Sequence, residues 1–250
     1  GGNRLELWAS YAINGKVVAG GNSNTLVLSG GANGSFNLSS LGSQYQGFDQ
    51  FEKNGTSIWS VAGTNTTTLD NVRVDGGTLA LTGSSTTLKS TNAVIGSTAG
   101  SDGAVTIDGG RWYNWYPIRI GDQGAGSLTI SNGGAFAGAF DIIPVFGSMI
   151  GNAAGSHGSV VITDPGSSWS NYSALMVGNK GTGSLTISNG GRLDSYSVIG
   201  IGGVAPGASG SVTVTGAGSY WNTHLIPENS PDNSLSVGGP GGGSLTISAG

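Results

Sequence analysis

One phrase returns six times after residue 95, and no other feature constrains the fold as strongly. Each copy opens with an aliphatic residue and a glycine, passes through a short glycine-rich stretch, and closes on a small residue followed by three strand-formers. The openings read as Ile95-Gly96, Ile120-Gly121, Ile150-Gly151, Val177-Gly178, Ile199-Gly200 and Val237-Gly238. The closing strands are AVTI at Ala104, SLTI at Ser127, SVVI at Ser159, SLTI at Ser184, SVTV at Ser211 and SLTI at Ser244. Copies alternate in type: the first, third and fifth run on to Trp112, Trp169 and Trp221, whereas the second and fourth run into Asn-Gly-Gly at Asn132 and Asn189. A pair of copies is therefore the duplicated module, and each copy suits a coil of three short strands and three turns. In SLTI the Leu and Ile share one face and the Ser and Thr the other, so one side can be buried and one wet. Gly and Asn-Gly supply positive-φ corners between strands.

A single coil cannot cover its own apolar face, but an identical coil stacked on it can. In-register stacking joins the strands in parallel, and the handedness of parallel crossovers favours a right-handed turn. The expected fold is all-β, a right-handed parallel β-helix, a solenoid of three-stranded coils. A β-sandwich would prefer antiparallel hairpins, and a propeller blade of about 40 to 45 residues does not fit the spacing. Residues 1–95 keep the strand-and-glycine style, with VVAG at Val17, TLVLSGG at Thr25, GSFNLSS at Gly34, TSIWSVAG at Thr56, NVRVDGGTLALTG at Asn71 and STTLKS at Ser85. Residues 1–250 therefore read as one continuous solenoid, 1–95 as degenerate rungs and 96–250 as regular repeats in a two-unit period. Composition agrees. With 49 Gly in 250 residues and 9% charged residues, a helical protein is excluded. Six Trp, 36% hydrophobic residues and a net charge of -4 argue for a folded chain.

The chemistry-bearing residues are sparse. No Cys is present, so disulfides, thiolate catalysis and Cys-ligated metal are all removed. Nine basic against thirteen acidic residues, without a Lys/Arg run, leave no footprint for nucleic acid. No apolar stretch approaches the roughly 20 residues that span a bilayer, so direct membrane insertion by this segment is not expected. Gly121-Asp122-Gln123-Gly124 places Gln123 where a serine nucleophile would stand, and His157 and His224 lie in different units. Carboxylates are scattered. Asp108 and Asp164 follow the SLTI-like strands, where they read as turn caps rather than a glycosidase pair. The run from Gly238 to Gly243 lacks the Asp of a calcium-binding roll. No catalytic residue, cofactor or metal site is expected, and the chain is read as a non-enzyme.

Aromatic residues and insertions carry the remaining signal. Trp112, Trp169 and Trp221 fall at matching places in alternate units, either packed at a core or corner or laid out as an exposed glycan-stacking track. The phrase RWYNWYPIR adds Tyr113, Trp115 and Tyr116, rings flanked by Arg as in binding hot spots. An insertion after Gly138 brings Asp141, Ile142, Ile143, Val145 and Phe146, and a second one gathers around His224, Leu225 and Ile226. Insertions in a solenoid become projecting loops, which often carry function. Trp112, Tyr113, Trp115 and Tyr116 of that phrase and, from the two insertions, Asp141, Ile142, Ile143, Val145, Phe146, His224, Leu225 and Ile226 are the candidates for contact with a partner.

The stretch NTLVLSGGANGSFNLSSLGSQYQGFDQFEKNGTSIWSVAGTN, residues 24–65, resembles passenger segments of bacterial type V autotransporters. VGNKGTGSLTISNGG at Val177 is similar to the repeat that such passengers share with some other surface-secreted proteins. The resemblance covers residues 25–250. It implies a passenger secreted or displayed on the surface of a Gram-negative cell and anchored at the outer membrane by a following C-terminal barrel, which these residues do not contain. With no catalytic constellation visible, the expectation is an adhesin or host-interaction protein that binds a host protein or glycan, or self-associates, through loops and a lateral face. A structural stalk and a polysaccharide-acting enzyme are the rival readings.

Overall fold

The computed structural model describes residues 2–138, 147–224 and 234–248. It is a parallel β-solenoid. A representative coil consists of a first strand, Asp102–Asp108, a second, Arg111–Asn114, and a third, Arg119–Ile120. First strands from successive coils build a nine-stranded sheet, while second and third strands build a fifteen-stranded one. The two rows of the larger sheet meet at Thr87–Ile95, whose first half pairs with Arg111–Asn114 and whose end pairs with Arg119–Ile120. All strand ladders of the solenoid are parallel, as stacking in register requires. Leu38–Ser40 forms one turn of 3-10 helix, capped by the Asn37 side chain.

Register explains the repeat. The first strands align Leu79, Val105, Leu128, Val160, Leu185 and Val212 in one inward column and Leu81, Ile107, Ile130, Ile162, Ile187 and Val214 in another. These side chains are buried between the walls of the coil. The Ser and Thr between them, including Ser127, Thr129, Ser184 and Thr186, face outward. Leu245 continues the first column and is partly buried, but Ile247 is 72% exposed, against the expectation that both lie inside. No coil lies beyond it among the described residues to cover it.

The aliphatic residues of the openings, Ile95, Ile120, Ile150, Val177, Ile201 and the partly exposed Val237, continue in register a third column begun by Leu28, Lys53 and Val74. Unit five therefore opens at Ile201-Gly202, not at Ile199-Gly200. The local sequence offers two aliphatic-glycine pairs, and register puts Gly200 opposite Met176 on the outward side. The glycines after this column are sterically dictated. Gly121 has φ +67°, and a Cβ there would lie 2.3 Å from the carbonyl oxygen of His157 on the next coil. Across the same corner a Cβ on Gly126 would lie 2.4 Å from the Gly121 nitrogen and 2.6 Å from the Ile95 oxygen. The corner closes because neither residue has a side chain. At the opposite end of the first strand, Asn132 and Asn189 adopt φ of 52° and 50°, as the Asn-Gly phrases suggest. Asp108 and Asp164 accept hydrogen bonds from Asn132 at 2.5 and 3.3 Å, which is the turn-capping role.

Most strands of residues 1–95 join the same sheets, while Val17–Val18 and Tyr45–Gln46 pair in a separate two-stranded one. Gly34–Asn37, Ile58–Ala62 and Gly76–Thr82 extend the nine-stranded sheet, with Trp59 stacked in register on Leu79. Arg4–Trp8 and Gln50–Lys53, which sequence reading does not pick out, pair with Thr25–Ser29 on either side.

Candidate functional site

The second strands form a lateral face whose composition changes from coil to coil. Their inward side carries the column Leu88, Trp112, Phe136, Trp169, Leu193 and Trp221. Trp112 and Trp169 are fully buried, with Phe136 between them in edge-to-face contacts at 5.4 and 5.8 Å. This corrects the placement of Trp112 among surface partner contacts. The strand alternation that exposes Tyr113 turns its neighbour inward, and the three tryptophans are core spacers rather than an outer track.

The inward column ends in polar residues that fix the following turn. Trp112 Nε1 donates to Ser90 Oγ at 2.8 Å, Ser90 Oγ to Asn114 Oδ1 at 2.6 Å, and Asn114 Nδ2 to the Tyr116 carbonyl at 2.5 Å. Two coils further on, Ser148 Oγ donates to Asn171 Oδ1 and Asn171 Nδ2 to the Ser173 carbonyl, repeating the device. A buried amide thus satisfies turn backbone that water cannot reach.

The residue just past each second strand stands at the corner these amides hold. Backbone N–H groups of Trp115, Tyr172, Tyr196 and His224 donate to Ser90, Gly138, Asn171 and Ser195 on the preceding coil. Tyr172 and Tyr196 stack at 4.6 Å with planes 11° apart, and Tyr196 and His224 at 4.3 Å and 5°. Both faces of Tyr196 are therefore covered, and only its edge can meet a ligand. Burial first, then neighbouring Tyr172 and Asp194, holds its hydroxyl above the ordinary tyrosine range. The residues of the insertion read after Gly138, and those that follow His224 in the second one, lie outside the described residues.

A charged cluster borders the stack. Asp194 is buried although it points outward, because Arg192 Nε binds its Oδ2 and His224 Nε2 lies 3.3 Å from its Oδ1. The hydrogen bond to Asp194 is the largest cause raising the Arg192 guanidinium above its usual range. His224 Nε2 also lies 2.8 Å from Asn222 Nδ2. That amide nitrogen needs a lone pair while Asp194 needs a proton, so the imidazole serves one or the other. The Arg192 guanidinium carbon lies 5.4 Å from the centre of the Tyr220 ring.

Of the residues singled out from sequence, Tyr113 and Trp115 are exposed on this face at 39% and 55%. Tyr116 lines a separate groove of about 240 Å³ beside Asn92, Pro117, Arg119 and Met149. His224 closes the ring stack. Asp141, Ile142, Ile143, Val145, Phe146, Leu225 and Ile226 lie outside the described residues. Sequence reasoning missed Tyr172, Tyr196, Arg192, Asp194 and Tyr220. A signal for the first two was present: Trp112 to Trp115, Trp169 to Tyr172, Leu193 to Tyr196 and Trp221 to His224 repeat one inward residue and, three positions on, one ring. Among the described residues no group of three His, Asp or Glu is placed to hold a metal ion, and no helix is long and apolar enough to cross a membrane.

No protein-family model matches the chain, and no solved structure does. Over 165 residues, 63% of the chain, it is 30% identical to the uncharacterized lipoprotein YdeK of Escherichia coli strain K12. That stretch spans 11% of the YdeK sequence, so the likeness is to one segment of a much longer protein.

Proposed function

We propose that the chain is a segment of a bacterial cell-surface solenoid, an autotransporter-like passenger, that binds a host protein or glycan without chemical conversion of it. One observation carries this reading: an aromatic corner column of Tyr172, Tyr196 and His224 borders a lateral face that exposes Tyr113 and Trp115 on an otherwise regular stack. The lipoprotein named among similar sequences supports a place in the cell envelope. A plain stalk calls for a uniform Ser/Thr/Asn surface. Strands Ala125–Ser131 and Thr182–Ser188 come close to one, but the second-strand face, with Arg111, Tyr113, Arg192 and Tyr220, does not. A polysaccharide-cleaving site calls for two carboxyls about 5 to 10 Å apart in a cleft, and Asp194, the buried carboxylate of this face, is held by Arg192 rather than by a second acid.

The test is binding of the purified chain to arrays of host surface proteins and glycans, before and after the double substitution Tyr113→Ser and Trp115→Ser. Both side chains are exposed, so the β-sheet spectrum should stay unchanged while affinity for the captured ligand falls by about tenfold or more. Absence of any ligand, or binding indifferent to the double substitution, would overturn the proposal.

A further inference from the structure

The second-strand face is saddle-shaped. Outward from the coil that carries Arg111 and Tyr113, the next coil places Ala135 and Ala137 in register, the one after it Ser168 and Ser170, and the fourth Arg192 and Asp194, with Tyr220 and Asn222 behind. Two coils of small side chains thus lie between coils of large ones. Three strand spacings of roughly 4.8 Å put the walls about 14 Å apart. The trough runs across the solenoid, parallel to the strands.

Its charge is unlike that of the rest of the molecule. Arg111 is exposed and has no ion-pair partner among the described residues. Lys89 sits in register beside Tyr113, one coil outside the trough. On the far wall Arg192 is exposed but neutralised by its ion pair with the buried Asp194 carboxylate. Lys89 and Arg111, which have no ion-pair partner among the described residues, therefore give this face an excess of positive charge in a chain of net charge -4. The first strands from Gly76 to Ile247 carry neither Lys nor Arg.

We infer that this saddle binds an acidic glycan, a uronate-bearing saccharide lying on the Ala135, Ala137, Ser168 and Ser170 floor with its carboxylate on Arg111. The inference rests on the lateral-face reading above and gives its ligand a chemistry. An extended peptide fits poorly: the floor is the face of a sheet whose backbone groups are already paired in the ladders, so the peptide's own N–H and C=O groups would be desolvated without partners. A saccharide presents hydroxyls that donate and accept. The Ser168 and Ser170 hydroxyls make no side-chain hydrogen bond among the described residues and can meet them, while the Ala methyls and the Tyr113 ring suit the sugar's C–H face. A guanidinium matches a planar carboxylate with paired donors.

Titration calorimetry with oligogalacturonate and with its fully methyl-esterified form tests the inference. The acid should bind about tenfold or more tightly than the ester, and rising salt should narrow the difference. Arg111→Gln should abolish that preference, and Ala137→Trp, which fills the floor from outside the core, should weaken the acid's binding by a similar factor. Equal affinity for acid and ester, or full binding by Ala137→Trp, overturns the inference. If no uronate binds but another ligand is lost on replacing Tyr113 and Trp115, the acidic-glycan assignment falls and the lateral-face reading stands.

Discussion

A single lysine shows how much a solenoid core tolerates. Lys53 occupies the aliphatic column between Leu28 and Val74, is fully buried, and ends its amine 2.7 and 2.8 Å from the carbonyls of Asn54 and Gly76. Burial lowers its pKa from 10.5 to about 8. The fold therefore prefers the neutral amine, and the unfolded chain binds more protons between pH 8 and 10.5. Stability owed to this group rises with pH across that window, and below it the full cost of a buried ammonium is present. Lys53→Met, similar in length and uncharged, should raise stability at pH 7 by about 1–3 kcal/mol, with the gain gone at pH 10.5. Urea unfolding at the two pH values measures this, and a gain equal at both would show that the amine is not desolvated. No sequence pattern announces such a residue. A lysine stem is long enough to place its head at turn carbonyls while its methylenes fill a Leu-sized slot, and that depends on contacts from a neighbouring coil. Trp112 teaches the converse: its matching place in alternate units is legible, but whether the column faces in or out is decided by one step of strand alternation.

At the scale of the element, the turns discriminate among glycines that look alike in sequence. Gly121 and Gly133 both have positive φ, +67° and +77°. An added Cβ meets the His157 carbonyl carbon at 2.5 Å and oxygen at 2.3 Å in the first case and nothing within 4 Å in the second. Gly133→Ala should cost about 1 kcal/mol, the backbone strain alone. Gly121→Ala adds a clash that only separation of two coils can relieve, and it should cost several times as much or prevent folding. Thermal melts of the two variants give the comparison; equal losses would mean the corner is not closed. The six-fold phrase made strands, corners and coil length readable, because each is set by local residues or by a neighbour of identical sequence. The slip between Ile199-Gly200 and Ile201-Gly202, and the strand Gln50–Lys53, escaped because only pairing with the adjacent coil distinguishes them. The ring stack escaped for a related reason: Tyr172, Tyr196 and His224 are brought together by stacking of coils, not by nearness in sequence.

For the whole molecule, the ladders set a mechanical direction. Every coil is hydrogen-bonded to the next along the solenoid's length, and a coil such as that from His157 to Thr182 pays out 25 residues of chain when released. Tension applied between the two ends pulls on those ladders one after another rather than all at once, because each contact is between neighbours only. Stretched in an optical trap, the chain should yield in a series of small steps, each lengthening it on the order of 80 Å at roughly 3.4 Å per extended residue. A single abrupt release of the whole length would show instead that the coils share load. A solenoid built this way answers tension by giving up length coil by coil, and recovers it by rewinding against the coil still in place.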